Sequence, residues 1–336
     1  RIKKNATTAY FFQSPKNSLG IRLSRGFLIF FFFILCLSCV SALAAEAWTV
    51  TCPWAPSGVA AMVNQKAASL STTYSQDYVL VANAEKGDTA TINSWLTKYT
   101  EADPQMCFIG EGMFGITAIL DPERMNFTYD DFEYVENLYS SIFVASARKE
   151  LGITSIDALK AYLEEGNQIM VGTTGSEAFL AAALIGAMGY GDQFYLIPYE
   201  SAAEAAQAVA RGEVDIAVSH QSQILETWQQ GGVDVFAAFD GEPIAQGPFK
   251  GVEGVGQYGY PYFRNRCFIF AKAGADEQKI ADLKALYAQI LTDEEMVDWL
   301  NNTMLLEADM MTEEEVIAHI DNVKNIVDEY YDLVAE

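Results

Sequence analysis

Four times in this chain a short β-rich run gives way to a turn of small residues and then to a helical pattern. "IMVG" passes through Thr173-Thr174-Gly175-Ser176 into "EAFLAAALIGAMG", and "WTVTC" passes through Trp54-Ala55-Pro56-Ser57-Gly58 into "VAAMVNQKAASL". "QMCFI" precedes "GEGMFG", and "VDIAVS" precedes "HQSQ". The chemistry such turns can do is anion binding. A helix N-terminus offers unpaired N–H groups and a partial positive charge, so it holds a carboxylate or phosphate without a basic side chain. Small residues let the ligand approach the backbone, and Ser57, Thr173, Thr174 and Ser176 add hydroxyl donors. Ser176 is equally an ordinary N-cap. The repetition of the pattern, rather than any single turn, carries the reading.

Catalytic constellations are missing. Gly110, Gly112 and Gly115 spell GxGxxG after a strand, but the following helix is cut short at Asp121-Pro122, whereas a dinucleotide fingerprint needs a full helix and a second strand ending in an acid. The six residues remain a ligand-facing turn. The chain has two histidines, His220 and His319. A Ser176–His220 pair lacks any GxSxG elbow, and His220 at a strand end suits a hydrogen-bonding role in a cleft. Asp130-Asp131 and Glu164-Glu165 merely adjoin each other. No His-Cys or CxxC spacing suggests a metal, so no enzyme activity, cofactor or metal is expected. Cys52, Cys107 and Cys267 sit in apolar runs and read as buried small residues, with one disulfide as the alternative.

Alternating strands and helices imply an α/β architecture with parallel sheets, whose ligands gather at the carboxyl ends of strands. The last 60 or so residues differ. "DEQKIADLKALYAQIL", "DEEMVDWLNN" and "TEEEVIAHIDNVKNIVDEYYDLV" carry apolar residues at three- and four-residue spacing, with Asp276, Thr292 or Asp293, and Thr312 at N-cap positions. Asp240 to Phe263 is rich in Gly and Pro and reads as a long irregular connection between domains.

Residues 1–45 have the order of a secretory signal peptide: basic residues through Arg25, an apolar run from Phe27 to Leu37, and Ala42-Leu43-Ala44 as a cleavage site. A retained membrane anchor and a lipidated Cys39 are the alternatives. Six of the 21 basic residues lie in this segment and none of the 45 acids does, so the remainder stands near −30. That charge repels nucleic acid and anionic membranes and excludes both as partners. An anionic ligand must then be held by local donors.

The remainder resembles the solute-binding proteins of tripartite tricarboxylate transporters, the Bug family. Trp54-Ala55-Pro56-Ser57-Gly58 approximates that family's aromatic-x-Pro-Gly-Gly loop, and "LVANAEKG" matches its Val-Val-Glu-Asn-like strand end. Thr173-Thr174-Gly175-Ser176 looks like its Gly-x-Gly-Ser turn. "IPYESAAEAAQAVARGEVDIAVS" is similar to its Val-Pro-Tyr, Ala-rich helix and Gly-Gly-x-Val-Asp sequence.

The resemblance implies a two-lobed periplasmic-binding-protein-like (type II) α/β fold closing on a small carboxylate, with lobe 1 over 46–144 plus 266–336 and lobe 2 over 145–265. It implies a monomeric extracytoplasmic receptor that passes its solute to membrane transporter subunits; a sensory module is the rival reading. Ligand contacts are expected from Trp54, Ser57, Gly58 and Gly112 on one lobe and from Thr173, Thr174, Gly175, Ser176, Tyr199 and Ser201 on the other. Asp215 is weighed evenly between a site role and a structural one. The chain departs from the family at Ser57, Ala60-Ala61 and Glu85-Lys86. Glu111, Glu177 and Glu200 lie in or beside three turns. They are expected to point to solvent, as first-turn acids do. Should one receive an amino group instead, the ligand is an amino acid.

Overall fold

The computed structural model describes residues 44–199 and 201–334, so the signal segment lies almost wholly outside the described residues, as does Glu200. Two five-stranded sheets form the frame. The first has the order β2–β1–β3–β10–β4, where β1 is Glu46–Cys52, β2 Tyr78–Ala84, β3 Gln105–Gly110, β4 Phe132–Ser141 and β10 Asn265–Lys272. The second has the order β7–β6–β8–β5–β9, where β5 is Phe143–Arg148, β6 Ile169–Thr173, β7 Phe194–Pro198, β8 Ile216–His220 and β9 Val233–Ala238.

The sheets are mixed rather than purely parallel. β10 runs antiparallel to β3 and β4, and β5 antiparallel to β8 and β9. The reason is the crossing. β4 leaves the first sheet at the end where its parallel strands finish, and after Ile142 the chain enters the second sheet as β5. A strand passing directly from one set of carboxyl ends to the other must run against the strands it joins. β10 makes the return passage after the irregular stretch from Phe239 to Arg264. The carboxyl ends of the parallel strands in both sheets therefore face the same gap.

Helices cover both faces of each sheet. We label them α1 (Val59–Tyr74), α2 (Thr89–Lys98), α3 (111–120), α4 (Ile156–Glu164), α5 (Gly175–Ala187), α6 (Ala202–Ala210), α7 (Gln221–Gln229), α8 (Glu277–Leu291), α9 (294–304) and α10 (Glu313–Tyr330). Two of them, α3 and α9, contain a π turn, at Met113–Thr117 and Trp299–Met304. On the first sheet, Trp48, Val50 and Leu80 pack with α1 and α8, while Phe268, Phe270 and Ile109 pack on the other face. Each such fully buried side chain contributes about 1.5–3 kcal/mol of transfer free energy. Asp276, Asp293 and Thr312 cap α8, α9 and α10 through their side chains, which resolves the Thr292/Asp293 alternative in favour of Asp293.

The last helix does not stay with the first sheet. Val316 and Ile320 join the aromatic cluster of sheet one, but Val323, Ile326 and Val327 join the core of sheet two. Eighteen residues of α-helix extend about 27 Å, enough to pack on both. Its closest approach to α3 is at Gly115, where an added Cβ would stand 2.6 Å from Val323 Cγ1.

Among the described residues, Cys52, Cys107 and Cys267 are free and buried. Thr51 is the register partner of Cys107, so Cys52, one residue on, points to the opposite face of the sheet and cannot bridge to it.

Candidate functional site

The gap between the sheets is lined by the turns singled out in the sequence. α5 starts immediately after β6, with Thr174 in extended conformation and Gly175 at φ +37°. A positive φ is cheap only for glycine, and this one lets the strand turn into the helix within one residue. From the first sheet, β3 runs straight into α3, so residues 111 and 112 are its first turn. The two first turns meet: an added Cβ on Gly112 would lie 3.1 Å from Ser176 Oγ. Behind them the Trp54 ring covers Gly110, where an added Cβ would lie 3.4 Å from the ring. Ser57 is exposed and Gly58 half-buried at the head of α1. Gly112, Ser176 and, behind them, Trp54 are thus brought together.

Two carboxylates lie in this contact, and they are buried, contrary to expectation. Glu111 is 1 % exposed and Glu177 7 %. Glu111 reaches across to the returning strand, where it accepts from Asn265 Nδ2 at 3.0 Å and from the Arg266 amide at 2.9 Å. Glu177 accepts from Thr174 Oγ1 at 3.0 Å. Burial pushes the Glu111 carboxyl up to about 7, against the Arg266 and Asn265 donors that lower it. Burial also pushes Glu177 up to about 7, its own amide and Thr174 oppose this, and repulsion from Glu111 adds to it. These acids do not point to solvent because the two first turns meet and Glu111 is turned onto the returning strand β10. A desolvated carboxylate is favoured in its neutral form.

The base of the gap continues along the crossing strands. Asn265 is the register partner of Ser141, and Ser141 Oγ lies 2.7 Å from His220 Nδ1 at the end of β8. Burial lowers the His220 imidazole to about 4, so it is neutral at physiological pH, and its ring packs on Phe143 at 4.6 Å between centroids. Ser176 is not its partner. Among the described residues no group of three or more His, Cys, Asp or Glu is placed to hold a metal ion.

Other expected residues stand apart from this contact. Thr173 is buried, and the Thr174 hydroxyl is taken by Glu177. Tyr199 lies against the sheet, its Cε2 3.2 Å from where Gly172 would carry a Cβ. Ser201 is exposed and caps α6 by accepting from the Glu204 amide at 3.3 Å. Thr173, Thr174, Gly175 and Tyr199 also border an open groove of about 1030 Å³, facing Asp88, Thr117 and Arg124. Asp88 there holds φ +49°, a backbone strain of the kind that clusters at ligand sites.

Asp215 has structural partners. It precedes β8, at the end of the sheet away from the gap. Its Oδ2 accepts from the Met170 amide at 2.8 Å, and its Oδ1 pairs with Arg148 at 2.7 and 2.9 Å. Both oxygens are occupied in holding strand starts together. Residues not anticipated are Asn265, Arg266 and Ser141. Nothing in their local sequence marks them, because each gains its role only from a strand more than 70 positions away.

No protein-family profile matches the sequence, and no curated protein does. Solved structures do. An R. palustris protein solved with adipate is 16% identical and aligns over 86% of this chain and 97% of its own, with a TM-score of 0.71. MatC from Rhodopseudomonas palustris with bound malate is 17% identical over 86% and 98%, at 0.66. A TctC solute-binding protein from Polaromonas is 15% identical over 84% and 98%, at 0.69. At such identities the likeness is one of fold, and it covers these proteins almost end to end.

Proposed function

We propose that this chain is an extracytoplasmic solute receptor. It holds a small carboxylate between two lobes and delivers it to the membrane subunits of a tripartite tricarboxylate-type transporter. The observation that carries the reading is the meeting of Gly112 and Ser176, the first turns of two helices brought face to face from two sheets. Each turn presents unpaired amides and a positive dipole end. A ligand carboxylate placed there accepts from the Gly175 and Ser176 amides and the Ser176 hydroxyl, with the Trp54 ring closing one side. This explains how a chain of such negative charge binds an anion without a basic pocket. Lobe 1 is drawn from 46–144 and 266–336, lobe 2 from 145–265, and the chain crosses between them beside Ile142 and ahead of Asn265.

Glu111 and Glu177 set what else the ligand carries. In its neutral form either acid donates a hydrogen bond to a ligand carboxylate; in its ionised form it accepts from an ammonium group, which admits amino acids. The folds solved with adipate and malate support the first class. The receptor itself performs no chemistry: it is a monomer, exported by its N-terminal segment, that closes on the solute and reopens at the transporter.

A thermal-shift screen against carboxylic acids and amino acids tests this. Ligand bound only by the folded state raises the melting temperature, by about 2.7 kcal/mol of stability at a hundredfold excess over Kd. The expected result is a shift with one ligand class that Ser176→Asp abolishes. If protein stripped of ligand by unfolding and refolding shows no shift with any of them, the receptor reading fails.

A further inference from the structure

The most unusual joint in the molecule lies behind the cleft, where the chain crosses between the sheets. Arg264 immediately precedes the returning strand β10. Its Nε and NH2 engage Asp240, which follows β9 on the second sheet, at 3.2 and 2.5 Å. Its NH1 engages Glu307 at 2.6 Å and Ser140 Oγ at 3.3 Å. Glu307 is itself bonded to Ser140 through both backbone groups, just before the outgoing crossing at Ile142. One guanidinium therefore ties both crossings and the 305–307 segment to the second sheet.

The same segment inserts a side chain across the joint. Leu305 follows the π turn that ends α9, on the first lobe, yet it packs against the cluster that joins Ile142, at the crossing, to Ile244 and Phe249 of the second lobe. It caps the end of α9 at φ +54° and ψ +45°, with the Leu306 amide donating back to the Leu300 carbonyl at 2.9 Å, and is one of two non-glycine residues with positive φ among the described residues. Such a conformation is disfavoured for a branched side chain and persists where surrounding contacts impose it. The joint is not close-packed: a cavity of about 30 Å³ separates Leu305 and Leu306 from Gln221 and Ile244. A void beside the knob removes packing partners on that side, so Leu305 can leave at reduced cost.

We propose that Arg264 and Leu305 form a latch across the hinge that holds the two lobes in the apposed arrangement, with Gly112 against Ser176. The bidentate Arg264–Asp240 pair grips the second lobe, Glu307 and Ser140 anchor the same guanidinium to the first, and Leu305 is the knob that opening withdraws. The latch biases a two-state hinge and so sets the affinity of any cleft ligand through the fraction of molecules already closed, without touching that ligand. It rests on the two-lobed hinge of the receptor reading, but its test needs no ligand and so can fail independently of ligand binding.

Spin labels on the purified full chain at Ser94→Cys and Gln207→Cys, exposed positions on the two lobes, report the interlobe distance distribution without ligand. Cys52, Cys107 and Cys267 are buried, and with Cys36 and Cys39 replaced by serine these two sites are the reactive ones. Arg264→Gln and Leu305→Ala should each raise the ratio of separated to apposed lobes by about tenfold, within the usual range of allosteric couplings. Glu307→Gln, at a side chain 44 % exposed and safe for folding, should move it in the same direction by less. Folded variants with unchanged distributions overturn the latch, and so does a shift toward shorter distances. If Arg264→Gln fails to fold, Glu307→Gln and Leu305→Ala decide the question alone.

Discussion

Asp215→Ala separates a structural carboxylate from a ligand-binding one. The Asp215 side chain is 8 % exposed and serves three donors: the Met170 amide at 2.8 Å and two nitrogens of Arg148 at 2.9 and 2.7 Å. Removing it leaves the Met170 N–H without its acceptor, which costs about 1–3 kcal/mol, more when the lost bond was to a charged group. Breaking a buried ion pair by deleting one partner costs about 3–5 kcal/mol. Arg148 is 33 % exposed and can turn toward water, so its share is discounted. The expected loss is about 2–4 kcal/mol for Asp215→Ala. Asp215→Asn keeps an oxygen for Met170 and should lose about half of that. Urea denaturation reads this directly: with a slope near the upper end of about 1–3 kcal/mol per molar, the midpoint of the alanine variant falls by about 1 M. Any ligand identified by thermal shift should still raise the melting temperature of Asp215→Ala as much as that of the parent. A variant with the parental midpoint and no ligand response would refute the reasoning and return Asp215 to the cleft.

Other expectations follow from the same geometry. Burial raises Glu111 and Glu177 from 4.5 to about 7, so each favours the protonated folded state. Their contribution is fully present below pH 4.5 and lost as pH rises through 7, about 3 kcal/mol for each carboxyl. Melting temperatures of the parent and Glu177→Gln should therefore diverge across that window, the variant declining less, and parallel curves would count against a buried Glu177. Gly115→Ala places a Cβ 2.6 Å from Val323 Cγ1 and should destabilise by about 1–3 kcal/mol in calorimetry, since the backbone of α10 stands behind that contact. Thiol reagents should leave Cys52, Cys107 and Cys267 unmodified until denaturant is added, because burial raises Cys52 to about 11 and Cys107 and Cys267 well above the ordinary range.

Local signals were enough for much of the framework. The turn of small residues before α5 could be read because strand, glycine with positive φ and helix all lie within a few positions of one another. The caps Asp276 and Thr312 were legible for the same reason, since a cap is a contract between residues two or three apart. The crossing strands β4 and β5 were not. Their direction depends on which end of a distant sheet receives them, and no periodicity encodes that. α10 shows the same limit. Its apolar stripe announces a buried face, but the stripe is silent on the fact that its first half meets one sheet and its second half the other.

The site divides along the same line. Residue types and short spacings alone specify that helix N-termini with hydroxyls and small residues are available for an anion, and that acids stand beside them. That Asp215 stands at the start of its strand is also legible locally, but whether those acids are solvated or buried, and that Asp215 holds Met170 and Arg148, are matters of long-range register. Glu111 is buried and is held by Asn265, 154 positions later. Burial is a property of what the rest of the chain places on top of a residue, and a carboxylate's protonation, partner and role follow from burial, so they emerge only when the two sheets are assembled.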